Sequence, residues 1–177
     1  INSYSQQTDS ISLQLFMEAY ASSVPNKPFT NNRSGFHYNY TKSNSASLNL
    51  ALARVHYSIG RFRSNFGLMA GDYATANLAA EEPWAKNIYE ANAGYKLLKQ
   101  KELWLDVGVI PSHIGSETAI GKENWAATRS ITADNSPYYE AGAKITYTTD
   151  DGKWLLSALA LNGWQRIKRV DGNSLMS

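Results

Sequence analysis

Apolar and polar positions alternate along most of this chain, the period of a strand whose two faces meet different surroundings. Ile11, Leu13, Leu15, Met17 and Ala19 alternate with Ser12, Gln14, Phe16, Glu18 and Tyr20, which predicts a first strand over about residues 11 to 21. Leu48, Leu50 and Leu52 alternate with Ser47, Asn49 and Ala51 in a second, about 46 to 59, and Gly60 marks a tight turn. A third, about 61 to 73, sets Phe62, Phe66, Leu68 and Ala70 against Arg61, Arg63, Asn65 and Gly67. The fourth, 87 to 98, sets Tyr89, Ala91, Ala93, Tyr95 and Leu97 against Glu90, Asn92, Gly94 and Lys96. The fifth, 103 to 113, sets Leu105, Val107 and Val109 against Asp106 and Gly108.

Strands six and seven form a hairpin from Tyr138 to Gly163. Tyr139, Ala141, Ala143, Ile145 and Tyr147 share one face of its first limb, and Glu140, Gly142, Lys144 and Thr146 the other. A two-residue turn at Asp151-Gly152 would pair Tyr147 with Leu156, and a bulged three-residue loop would pair it with Leu155. The bulged loop puts Leu155, Ser157, Leu159 and Leu161 beside the apolar face and is the register expected. The hairpin design recurs: Tyr89-Glu90-Ala91 returns as Tyr139-Glu140-Ala141 and Trp104-Leu105 as Trp154-Leu155, both at an offset of fifty.

The connections alternate in length. Residues 22 to 45, with Pro25, Pro28 and Gly35, are long and polar; 74 to 86 and 114 to 136 are long as well. Gly60, residues 98 to 102 and residues 149 to 153 are short. Long loops at one end and short turns at the other are the layout of a bacterial outer-membrane barrel. Within the third long loop, Lys122 to Ile131 are expected to form two or three helical turns, which could fold toward a pore mouth.

Composition narrows the choice. No apolar run approaches the roughly 18 residues of a membrane-spanning helix, which leaves short alternating spans as the route into a bilayer. A net charge of +2 with scattered Lys and Arg gives no basic patch for nucleic acid. The absence of cysteine removes disulfides and thiolate metal sites. Ile1-Asn2-Ser3-Tyr4 carries no basic-then-apolar leader, so a signal peptide of an exported protein would already be gone. Soluble β-sandwiches also alternate, and on pattern alone they compete evenly. Three features favour the barrel: charges on the polar faces, aromatic residues near the ends of the apolar faces (Tyr89, Tyr139 and Tyr147), and the unbroken alternation of loops.

The polar faces carry Glu18, Arg63, Glu90, Lys96, Asp106, Glu140 and Lys144, which are the candidate pore-lining residues. Arg63, Lys96 and Lys144 facing Glu90, Asp106 and Glu140 would set up a transverse field of the kind that orients polar solutes. As a carboxylate pair for hydrolysis, Glu90, Asp106 and Glu140 compete poorly with a mixed-charge wall. His37, His56 and His113 lie on separate elements and read as surface or interface histidines. Ser112 and His113 are sequence neighbours, which is not how a nucleophile and its base are presented. Asp72, Glu81 and Glu82 lack calcium-loop spacing. No catalytic constellation, cofactor motif or metal site emerges.

Four segments carry a family resemblance: Asn87 to Asn92, Trp104 to Gly115, Ser136 to Lys144 and Leu161 to Arg166. They resemble the outer-membrane β-barrel porin family of the OmpL-like type, found in Bacteroidota. The resemblance implies an all-β, antiparallel transmembrane barrel in the bacterial outer membrane and a passive channel for small hydrophilic solutes or ions. Its partners would be outer-membrane lipid and the solutes, without nucleic acid. Family members are longer and an edge left open in lipid is costly. Residues 1–177 are therefore expected to be one domain, about seven strands forming the N-terminal part of a larger up-and-down barrel, or a wall completed by other outer-membrane subunits. The alternatives are a structural or accessory barrel subunit and a soluble β-sandwich binding module.

Overall fold

The structure is a computed structural model that describes residues 9–25, 30–33, 35–126 and 128–172. Pro28 of the first connection, Ala127 of the expected helix and both chain ends lie outside the described residues. Seven strands form one sheet: β1 Ser10–Ser22, β2 Ser45–Ile59, β3 Phe62–Ala70, β4 Ile88–Lys96, β5 Glu102–Pro111, β6 Tyr139–Thr148 and β7 Leu155–Leu161. Their order in the sheet is their order in the chain, and every neighbouring pair is antiparallel. The fold is all-β and up-and-down. The described strands form this one sheet rather than the two packed sheets expected of a sandwich.

The alternation sorts the two faces as strand geometry demands. On β1, Ile11, Leu13, Leu15 and Met17 are each at least 66% exposed, while the residues between Gln14 and Tyr20 on the other face are half-buried. Val55, Tyr57, Ile59, Phe62, Phe66, Leu68, Tyr95 and Val107 continue the exposed apolar face across the next four strands. Toward the short-turn end its aromatics gather. The Tyr57 and Phe62 rings lie 6.3 Å apart, and the Arg61 guanidinium sits 4.7 Å from the Tyr95 ring centre.

Three strand expectations need correction. In β2 the register shifts by one residue opposite Glu18 and Ala19, so that Glu18 pairs with Leu50 and Ala19 with Leu48. This bulge changes the phase. Leu50 and Leu52 share a face with Arg54 and His56 and are buried under loops, whereas Ala53, Val55, Tyr57 and Ile59 form the exposed face. A second bulge, between Gly67 and Leu68 of β3, leaves Tyr89 opposite no residue. Tyr89 lines a loop cavity with Arg54 and Tyr138 rather than standing at an apolar edge. Tyr139 is likewise buried, donating its hydroxyl to Glu81 (2.8 Å).

The final hairpin adopts the register that was not expected: Tyr147 pairs with Leu156 and Thr148 with Leu155. Residues 150–153 form a four-residue loop closed by Thr149, whose N–H donates to Trp154 O (3.0 Å). Gly152 N–H donates to Thr149 O (2.9 Å), and Gly152 takes φ +68°, a left-handed position that glycine fills without a Cβ penalty. The Asp151 carboxylate accepts from Lys153 N–H and the Thr149 hydroxyl accepts from Trp154 N–H, so side chains rather than a bulge set the loop length.

The long loops also depart from expectation. β3 stops at Ala70, and Gly71 turns the chain at φ +120° into a helix, α1, Asp72–Asn77. A Cβ on Gly71 would collide with the Asn49 carbonyl, so only glycine fits. The helix expected over Lys122 to Ile131 is not seen among its described residues. A 3-10 turn, Gly121–Glu123, covers its first two residues, and a four-residue helix, α2, Ile131–Asp134, starts at its end. Asn124 explains the break: its side chain accepts from Thr118 N–H and donates to Thr118 O, both at 2.8 Å, competing with a helical ladder. Ser130 caps α2 by accepting from Ala133 N–H (3.1 Å).

Candidate pore-lining face

The polar face is built from rows that run across the strands. Successive side chains on one face are about 7 Å apart along a strand, so each row comprises residues in register. In one row Arg54 of β2 pairs with Gly67 of β3, which pairs with Glu90 of β4. In the next, His56, Asn65 and Asn92 stand side by side. In the third, Arg63 of β3, Gly94 of β4, Asp106 of β5 and Lys144 of β6 follow one another.

Glycine gives the outer two rows their chemistry. Arg54 reaches over Gly67 to form an ion pair with Glu90. Arg63 reaches over Gly94 to grip Asp106 with two bonds, Nε to Oδ1 at 2.8 Å and Nη2 to Oδ2 at 2.6 Å. Each pair spans two inter-strand spacings, about 10 Å, and at Gly94 a side chain would stand in its path. A Cβ on Gly94 would collide with Asp106 Oδ1 and lie 3.0 Å from Arg63 Cγ. The Arg63 guanidinium also lies 4.1 Å from the Trp104 ring centre, which holds it flat over the face. Between the two ion pairs runs a hydrogen-bonded relay. His56 Nδ1 and Asn65 Oδ1 are 2.7 Å apart, Asn65 donates to Asn92 (2.9 Å), and Asn92 donates to Val109 O (2.9 Å).

The other expected wall residues are placed as follows. Lys96 pairs with Glu102 at the short-turn edge. Lys144 stands beside Asp106 in register. Glu18 accepts from the Tyr40 hydroxyl (2.9 Å) and from Asn49 Nδ2 (2.7 Å), and Gly121 of the third long loop lies against it. Glu140 is 2% exposed and takes a backbone N–H from Gln165, and its Oε2 has no hydrogen-bond partner. Glu18 and Glu140 are thus covered by loops, while Arg63, Glu90, Asp106 and Lys144 form one patch. Arg63 and Asp106, expected to stand as opposed charges, form an ion pair with each other on this face.

Sequence reasoning missed Arg54, His56 and the asparagine relay. The missed signal was the phase of β2, since Ala53, Val55, Tyr57 and Ile59 already alternate with Arg54, His56 and Ser58. It also placed Gly67 and Gly94 on the polar faces without their role as the gaps that let ion pairs cross a strand.

The third long loop folds back over the polar face near β1 and β2. Ala119 and Ile120 are buried in one apolar cluster with Leu50, Leu52 and Met69. Lys122 Nζ lies 5.5 Å from the Phe16 ring centre. Tyr138 closes the loop. Its hydroxyl donates to Asp134, the Arg129 guanidinium lies 3.6 Å from its ring, and the Tyr73 ring meets it edge-on at 5.1 Å. Burial, and then the Asp134 bond, push the Tyr138 hydroxyl pKa well up, so it remains a donor. Glu117 clasps the loop by accepting from the Ser130 hydroxyl and backbone N–H. Those two bonds hold its carboxyl below the usual range. No cluster of metal-ligating side chains occurs among the described residues.

An up-and-down antiparallel sheet with one exposed apolar face and one ion-paired polar face has the make-up of a β-barrel wall. The chain belongs to the family described as "Putative beta-barrel porin-2, OmpL-like", whose model matches residues 10–177. Searches of curated proteins and of solved structures return no match.

Proposed function

We propose that the protein is an outer-membrane channel for passive diffusion of small hydrophilic solutes. In this reading Ile11, Leu13, Leu15, Met17 and the rest of the exposed apolar face meet lipid. Arg63, Glu90, Asp106, Lys144 and Arg54 line a watery lumen, with Glu18 and Glu140 under its loops and Lys96 at its short-turn rim. The carrying observation is the polar face itself. It groups charged pairs and amides across four strands, an arrangement that needs water on one side. Family membership supports the porin reading, and a source among the Bacteroidota is proposed on the resemblance of the family-like segments alone.

The sheet runs from β1 to β7, and those two strands do not pair with each other among the described residues. Free strand edges in hydrocarbon cost several kcal/mol per unpaired group. We infer that further strands close the wall, with these seven as the N-terminal part of one longer barrel domain; partner subunits are the other source of such strands. We assign no catalytic role, because the acids of the polar face are engaged in ion pairs or held under loops.

A second reading, a structural or accessory barrel in a larger outer-membrane complex, draws support from the third long loop, which covers part of the polar face. Liposome swelling with the full-length protein separates the two. Swelling in small sugars that falls with solute size supports the channel, and vesicles that stay sealed favour the structural barrel.

A further inference from the structure

The two cross-strand ion pairs are lopsided. The Glu90 side chain is 1% exposed and that of its partner Arg54 30%; Asp106 is 6% exposed and its partner Arg63 again 30%. The cause is the glycine between them. Each arginine must pass over Gly67 or Gly94 to reach its acid, so its guanidinium lies above the sheet while the carboxylate sits low against it. Arg63 is fixed there by the Trp104 ring below it and by two bonds to Asp106, which leave Nη1 outside the pair.

Around Asp106 the neighbouring charge adds to this bias, while Glu117 and Glu123 of the third long loop line the cavity that Arg54 borders. Lys144 stands on the far side of Asp106 in register, so Asp106 lies between two cations. Glu18 is occupied by Tyr40 and Asn49 beneath Gly121, and Glu140 is buried. The Lys96–Glu102 pair runs the other way, with Glu102 the more exposed partner, but it lies at the short-turn rim. Acids and bases are both present on this face, and in both cross-strand pairs the base is the more exposed partner.

We propose that the channel prefers small anions, inorganic or carboxylate, because its wall presents Arg54 and Arg63 above recessed Glu90 and Asp106. A guanidinium with unused N–H groups binds planar or tetrahedral oxyanions well and repels cations. A recessed carboxylate lowers the net charge without offering a site to a cation. This inference rests on the channel reading above, and it names the solute class.

The test is the reversal potential of the full-length protein in a planar bilayer under a potassium chloride gradient. The expected result is a chloride-to-potassium permeability ratio several-fold above one. Replacing both arginines (R54Q with R63Q) uncovers Glu90 and Asp106 and should bring the ratio to one or below. A wild-type ratio at or below one overturns the inference while leaving the channel intact. So does a double variant that conducts with an unchanged ratio. A protein that inserts but never conducts overturns the channel reading itself. The wild-type measurement decides the matter even where the double variant does not assemble.

Discussion

Arg63 holds Asp106 across an intervening strand, and it can do so because Gly94 leaves the space between them open. Gly94→Ala should therefore act on the ion pair more than on the backbone. The new Cβ would push Asp106 away and break at least one charge-assisted bond, at a cost of about 1.5–3 kcal/mol. Urea unfolding of the detergent-solubilised protein would register the loss. The companion Asp106→Asn should cost less when combined with Gly94→Ala than alone, since the two changes remove the same interaction.

The apolar face yields a prediction about insertion. Leu15 is 70% exposed on β1, and its neighbour Gln14 lies on the opposite face. Leu15→Arg should weaken folding into vesicles by about 2–4 kcal/mol if the residue meets the bilayer middle. Gln14→Arg should be tolerated. The folded fraction in lipid, read from heat-modifiable gel mobility, compares the two.

Ile120 anchors the third long loop, 1% exposed among Leu50, Leu52 and Met69. Ile120→Ala removes buried methyl and methylene groups at a cost of about 2–5 kcal/mol, charged against loop docking rather than strand pairing. Limited proteolysis should then cut within residues 114–136 faster, while the strand core resists as before. Equal protection in the variant would show that the loop is held elsewhere.

Glu117 makes loop docking sensitive to acid. Its bonds to Ser130 lower its pKa below the ordinary 4.5. A depressed folded-state value means that the contribution is present above the unfolded pKa and is lost as pH falls through the folded one. Amide exchange around Ser130 should accelerate as pH drops below about 4.5, after correction for the intrinsic exchange rate. Glu117→Gln should lack that acceleration, because its bonds do not titrate.

Much of the sheet was legible because it rests on a period of two. The strands emerged from side-chain alternation, and the loop order emerged from polar runs between them. What escaped the sequence depended on single-residue events. A bulge opposite Glu18 moves Leu50 and Leu52 to the polar face, where loops bury them, and this hid Arg54 and His56. The Asp151 and Thr149 side chains open the last turn to four residues and set a register that strand patterning ranked second. Asn124 breaks a segment whose composition suits a helix. The charged wall residues were legible one by one, but their partners were not, because pairing across a glycine requires the register of three strands at once.

The central claim is that one face of this sheet meets lipid and the other water. Residues 1–177 contain no cysteine, so single-cysteine labelling along β1, with any cysteine elsewhere in the full-length protein replaced, addresses each face without background. The full-length protein would carry a fluorophore at position 12, 13, 14 or 15 and be reconstituted in vesicles. Nitroxide lipids should quench the labels at 13 and 15, and aqueous iodide the labels at 12 and 14. Iodide quenching of equal strength at all four positions would contradict the account.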